Sequence, residues 1–156
     1  MKKLPLLPTI IGTGFGSGFW PWGPGTAGAL TGMLIWYALS FMLNSTLLFA
    51  VTLSCIVIFT IAGTWAVRRL SPFWGSDPQK VVIDEMVGVW VPLLAVPASD
   101  IWLALASFVL FRLFDILKPL GIRTLDRREG AFYVMADDIL AGVYSLIIIV
   151  AVQWII

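Results

Sequence analysis

Residues 46–67 read TLLFAVTLSCIVIFTIAGTWAV, without one charged side chain, and stop at the pair Arg68-Arg69. Roughly 20 apolar residues cross the hydrocarbon of a bilayer as a helix, so this stretch predicts a membrane span. The rest of the chain agrees with it. Hydrophobic residues make up 60% of the sequence and charged residues 12%, and the mean hydropathy is +0.96. Soluble domains carry about 25% charged residues; half of that cannot clothe a water-facing surface. At 156 residues the expectation is one membrane-embedded domain, 1–156, built as an all-α helical bundle of about five segments.

Upstream of this span, Thr26 to Leu43 forms another candidate, ended by the turn Asn44-Ser45. Downstream, a polar loop from Ser71 to Lys80 leads to a shorter segment, Val81 to Val96, which carries Asp84, Glu85 and Pro92. That segment is expected to span with its first turn among the headgroups. A tight turn from Pro97 to Asp100 leads to a fourth span, Ile101 to Leu117. Pro119 opens a polar loop reaching Met135, and a last helix is predicted from Asp137 to Ile156. Before the first span, GTGFGSGFWPWGPGT (12–26) is too rich in Gly and Pro for a regular helix. The apolar run after Lys2 and Lys3 is broken by Pro5, Pro8 and Gly12, which predicts a retained N-terminus.

Cytoplasmic loops of membrane proteins hold the excess of Lys and Arg. With the N-terminus inside, every Lys and Arg falls at a cytoplasmic end: Lys2, Lys3, Arg68, Arg69, Lys80, Arg112, Lys118, Arg123, Arg127 and Arg128. The turns assigned to the outside carry only Asp100. The same topology gathers Asp77, Asp84, Glu85, Asp115, Asp126, Glu129, Asp137 and Asp138 at the cytoplasmic level, where antiparallel helix ends meet.

Two absences narrow the chemistry. The chain has no histidine, which removes Ser-His-Asp and Cys-His catalysis and imidazole zinc sites. Its one cysteine, Cys55, lies inside the apolar span, without the electropositive, partly exposed setting that a reactive thiol needs. The formal net charge of +1 carries no nucleic-acid signature, and nothing in the residues asks for an obligatory protein partner. Carboxylates, Lys and Arg, hydroxyls and an oxygen-ligated metal remain.

Asp84 and Glu85 head the third segment. An acid there gains about 0.3–1 kcal/mol from the helix dipole, which accounts for one of them. An adjacent pair on a segment barely long enough to span asks for more, since an intramembrane acid costs about 2.5–3.5 kcal/mol. Arg112, Asp115 and Lys118 are spaced three apart and line one helical stripe as cation, anion, cation. They form either a salt-bridge ladder or a carboxylate ligand flanked by phosphate-binding cations. Asp137-Asp138 open the last helix, where one N-cap is natural and two acids exceed that need. Together these acids repel unless a hard divalent cation joins them, as Mg²⁺ does with carboxylates, water and substrate phosphate.

Gly12, Gly14, Gly16 and Gly18 alternate like a phosphate-cradling loop but match neither common Gly-rich fingerprint. Pro24-Gly25-Thr26-Ala27-Gly28 is more specific, with Thr26 placed to N-cap the first span and free N–H groups suited to an anion. Gly28 and Gly32 form a small-xxx-small face for close helix packing. Trp20, Trp22 and Trp74 fit an interfacial aromatic belt.

The stretches GTGFGSGFWPWGPGTAG, DPQKVVIDEMVG, FRLFDILKP and MADDILAG, in this order, resemble the phosphatidylglycerophosphatase A family of bacterial inner-membrane enzymes. The resemblance implies an Mg²⁺-dependent phosphatase that converts the lipid phosphatidylglycerophosphate to phosphatidylglycerol and phosphate, as a multi-pass inner-membrane protein with its site on the cytoplasmic side. Carried onto this chain, the expected catalytic residues are Asp84, Glu85, Asp115 and Asp138, and the expected metal ligands Asp84, Glu85, Asp137 and Asp138. Lys80, Arg112, Lys118, Gly25 and Thr26 are expected to bind the substrate phosphate. Whether water or an aspartate attacks phosphorus stays open. The rival class is a small ion transporter or channel using the same acids, which requires polar groups through the membrane depth; Thr52, Ser54, Thr60 and Ser107 are the main ones beyond the charged end.

Overall fold

A computed structural model describes residues 4–76, 78–119 and 121–155, and among them every regular element is helical. Lys2, Lys3 and Asp77, which entered the charge reading, lie outside the described residues. The helices are α1 (Leu6–Gly12), α2 (Pro24–Ser40), α3 (Ser45–Trp74), α4 (Ile83–Leu93), α5 (Ile101–Leu117), α6 (Ile122–Asp126) and α7 (Ala131–Ile155). A single 3-10 turn, Ser17–Phe19, interrupts the Gly/Pro-rich stretch between α1 and α2. That stretch holds no long helix, as its composition predicts.

Several boundaries differ from the sequence reading, each for a local reason. Residues 6–12 form α1 despite Pro8, because a proline in the first turn replaces an N–H that has no helical partner. α2 starts at Pro24, with left-handed Gly23 as its N-cap; Thr26 lies inside the first turn and caps nothing. α3 runs past Arg68-Arg69 to Trp74, since Leu70 is fully buried and holds that turn against the bundle. The predicted loop therefore begins at Gly75. α4 is shorter than predicted, and α7 begins at Ala131, six residues before Asp137. Asp100 and Asn44 do cap, accepting from the N–H groups of Leu103 and Leu47 at 3.0 and 2.9 Å.

α4 is the centre of the bundle. Ten of its eleven residues are buried, all but Glu85, and α2, α3, α5 and α7 enclose it. Small residues set these approaches. A Cβ on Gly28 would stand 2.6 Å from that of Val82, and one on Gly32 would stand 3.2 Å from the Met86 Cα. The buried Trp90 indole donates to the Gly32 carbonyl at 2.9 Å. On the opposite side Gly88 and Gly142 let α4 and α7 touch backbone to backbone; a Cβ on Gly88 would meet the Phe111 ring of α5 and lie 2.9 Å from the Asp138 carbonyl oxygen. Gly88→Ala should accordingly lower the thermal midpoint in detergent, by the equivalent of about 1–3 kcal/mol for an overpacked core. An unchanged melting curve would refute this account of the α4–α7 contact.

The exterior is apolar. Leu53, Val57, Ile58 and Ile61 project from α3 with 44–68% of their surface exposed, and only 17% of its most apolar window is buried. In water such a surface would drive association; hydrocarbon is the solvent it suits. Among the described residues, α3 and α7 are long and apolar enough to cross a bilayer. The 17 residues of α2 and of α5 give about 25 Å each, close to the roughly 30 Å of hydrocarbon, whereas α4 reaches only about 17 Å.

Candidate active site

Three helix ends bring the acids together. Asp84 and Glu85 stand in the first turn of α4, Asp115 in the last turn of α5, and Asp137-Asp138 in the second turn of α7. Neither member of the α7 pair is an N-cap, so capping no longer accounts for them. A cavity of about 280 Å³ opens over this convergence, walled by Asp84, Glu85, Asp115, Asp126, Glu129, Asp137 and Asp138 against Lys118, Arg127 and Arg128. Seven carboxylates against three cations leave that wall four charges negative.

Carboxylate oxygens of Asp84, Glu85 and Asp138 lie within 4.8 Å of one another. Asp84 and Asp138 are 8% and 4% exposed. Asp84 Oδ1 and Glu85 Oε2 are buried with no hydrogen-bond partner, and an orphaned buried acceptor costs about 1–3 kcal/mol, more when charged. Carboxylates packed this closely must share a proton or a cation. An all-oxygen donor set with vacant lone pairs fits a hard divalent ion, so these three residues could hold a metal.

Asp137 faces elsewhere. Consecutive residues on a helix point about 100° apart, and Asp137 turns to Lys118, whose ammonium donates to its Oδ2 at 2.9 Å and also to Asp126. Lys118 is therefore not in line with Arg112 and Asp115. It sits past the end of α5 in a left-handed conformation, φ 47°, that swings it toward α6 and α7. Burial opposes its charge, but the bonds to Asp126 and Asp137 outweigh that and hold the ammonium above the usual lysine range. Lys118→Met, similar in volume, leaves both acids without their cation. Turnover should fall about tenfold to a hundredfold, the loss expected for charge-assisted hydrogen bonds. Wild-type kcat/KM in this variant would remove Lys118 from the site.

Arg112 pairs with Asp115 by a hydrogen-bonded ion pair, as the spacing predicts. Its guanidinium stands beside Glu85 and Gly25, and a Cβ on Gly25 would collide with the Glu85 carboxylate. Gly25 thus allows α2 to approach the acids; it does not line the cavity, and neither does Arg112. Thr26 is exposed, in a groove under Trp20 and Trp22. Lys80 is exposed and stacks over the Phe19 and Trp74 rings, 5.9 and 5.7 Å from their centres, outside the cavity. Conversely Asp126, Arg127, Arg128, Glu129 and Tyr133 line the cavity without having been assigned from sequence. The signal was the dense charge of residues 126–129, read from the sequence as charge at the cytoplasmic level and not as part of the site.

Away from this end the α3 hydroxyls are occupied locally, whereas Ser107 Oγ on α5 is buried without a hydrogen-bond partner. Thr52, Ser54 and Thr60 each donate to the carbonyl four residues earlier on α3, at 2.6–2.7 Å. They line no continuous path.

Fold and site together define a helical membrane protein whose carboxylates form a one-ended, metal-competent cavity. The phosphatidylglycerophosphatase A family model matches residues 10–153, and the chain belongs to that family. It is an enzyme of the phosphoric monoester hydrolase class. A protein of Bacteroides thetaiotaomicron named "Putative phosphatidylinositol-3-phosphatase" is 55% identical over 100% of this chain and 99% of its own length. Proteins named phosphatidylglycerophosphatase A are 37% identical in Haemophilus influenzae, over 99% of this chain and 94% of theirs, and 36% identical in Escherichia coli, over 87% and 77%. No solved structure matches.

Proposed function

We propose that this enzyme hydrolyses phosphatidylglycerophosphate to phosphatidylglycerol and phosphate, with Mg²⁺, at the cytoplasmic face of a bacterial inner membrane. The observation that carries the reading is the trio Asp84, Glu85 and Asp138, whose carboxylate oxygens converge while Asp84 Oδ1 and Glu85 Oε2 are buried and unpartnered, in a chain of this family. Asp84, Glu85 and Asp138 would hold the Mg²⁺, which would supply Lewis-acid polarisation of the phosphoryl group. Asp115, oriented by Arg112, accepts a proton from the attacking water. The phosphorus–oxygen bond to glycerol breaks and the leaving oxygen takes up a proton. Lys118 offsets phosphate charge from within the cavity, Arg112 and Lys80 from its surroundings, and Gly25 at the start of α2 lets that helix close against Arg112 and Glu85.

In the same reading residues 1–156 are a single domain crossing the membrane with five segments, N-terminus in the cytoplasm. The Lys/Arg distribution supports this orientation. The sealed α3 hydroxyls and the one-ended charge favour an enzyme over an ion path. Purified protein should release phosphate from phosphatidylglycerophosphate in the presence of Mg²⁺. Phosphatidylinositol 3-phosphate is the comparison substrate, given the name of the Bacteroides relative. Release from neither lipid would overturn the proposal.

A further inference from the structure

The floor of the cavity is acidic, whereas its rim carries Arg127 and Arg128 between the exposed acids Asp126, which is paired with Lys118, and Glu129. Asp84 and Asp138 are buried at its floor, whereas Arg127 and Arg128 line it as exposed side chains. Asp138 stands seven residues down α7 from Ala131, about 10 Å along the axis. Arg128 is fastened to the opening turn of α7, donating to the Tyr133 hydroxyl at 3.4 Å and stacking on its ring at 5.5 Å. Lys118, the remaining cation of the wall, is already engaged by Asp126 and Asp137. The Arg127 backbone N–H donates to the Arg123 carbonyl at 3.2 Å, but its side chain makes no hydrogen bond or ion pair among the described residues. The rim arginines are thus the cavity's cations open to an incoming anion, and guanidinium groups take phosphate oxygens through paired N–H donors.

A phosphomonoester over the carboxylates fills only the floor. We propose that Arg127 and Arg128 form a second anion subsite that takes the phosphodiester of the same lipid headgroup. The inference rests on the lipid-phosphatase reading and narrows its substrate class: a diester and a terminal monoester joined through a polyol. From floor to rim the order is monoester, polyol, diester, after which the acyl chains return to the bilayer. A lipid whose monoester sits directly on diacylglycerol, such as phosphatidic acid, leaves the rim subsite empty.

The test compares kcat/KM for phosphatidylglycerophosphate and phosphatidic acid, in neutral detergent micelles, for wild type, R127A/R128A and R127K/R128K. Wild type should prefer the two-phosphate lipid. In R127A/R128A that preference should fall about tenfold to a hundredfold, the effect of losing charge-assisted phosphate contacts, and fall through KM more than kcat. The double lysine variant should recover part of it. An equal loss on both lipids, or an unchanged ratio, overturns the proposal. So does a preference that emerges only when anionic lipid is added, because the rim would then bind a neighbouring headgroup. Absence of phosphate release from either lipid by wild type would instead strike the lipid-phosphatase reading itself.

Discussion

Asp138→Asn should reduce phosphate release about 10²–10³-fold, the range for removing one well-placed electrostatic group from an active site, and Asp84→Asn should do the same. Both changes keep the side-chain volume, so neither opens a cavity or overpacks α4 against α7. What they remove is one negative charge from three carboxylates confined within 4.8 Å. The same substitution should therefore raise the thermal midpoint of the metal-free protein. Buried like charges destabilise, and a neutral amide relieves them. A merely structural acid would behave in the opposite way, losing stability and activity together. Full activity in both variants would remove these acids from the site; lost activity with lowered metal-free stability would make their role structural.

Chelation should abolish turnover, and added Mg²⁺ should restore it. The folded state should also gain stability with metal concentration, because an ion that binds the native cluster and not the unfolded chain shifts the equilibrium by RT ln(1 + [L]/Kd). That is about 1.4 kcal/mol for each tenfold rise in Mg²⁺ above Kd, readable as a climbing melting midpoint. In Asp84→Asn or Asp138→Asn the dependence should flatten. The pair of measurements separates a catalytic ion from one that only screens the negative wall. A wild-type midpoint indifferent to Mg²⁺, with activity intact in chelator, would dismiss the metal.

Much of this site is legible along the chain. The apolar run at 46–67 and the sparse charge specify a lipid solvent, and the acids that meet at the cavity all come from short charged stretches next to apolar ones. α5 was readable to its last residue, because Asp100 caps it and Pro119 follows its end. α7 was not. Its opening turns, Ala131 to Ala136, mix aromatic and small residues that read as loop, and tertiary contact with α6 and α4 carries them into the helix. The glycines at 28 and 32 announced close packing correctly, and the approach of Gly25 to Glu85 and Arg112 emerges only in the fold.

The sequence by itself determined the solvent, the helical class, the family and the set of candidate acids. Hydropathy, residue type and motif are properties of single residues and near neighbours. The tertiary structure alone decided which acids meet. Asp138 joins Asp84 and Glu85 while adjacent Asp137 turns to Lys118, and Arg127 and Arg128 arrive at the rim of the same cavity. Those choices depend on the rotation of α7 about its axis and on where α5 ends. Both are set by contacts between distant segments, Gly88 against Phe111 and Asp138 and Gly142 against Val91, that no local pattern contains.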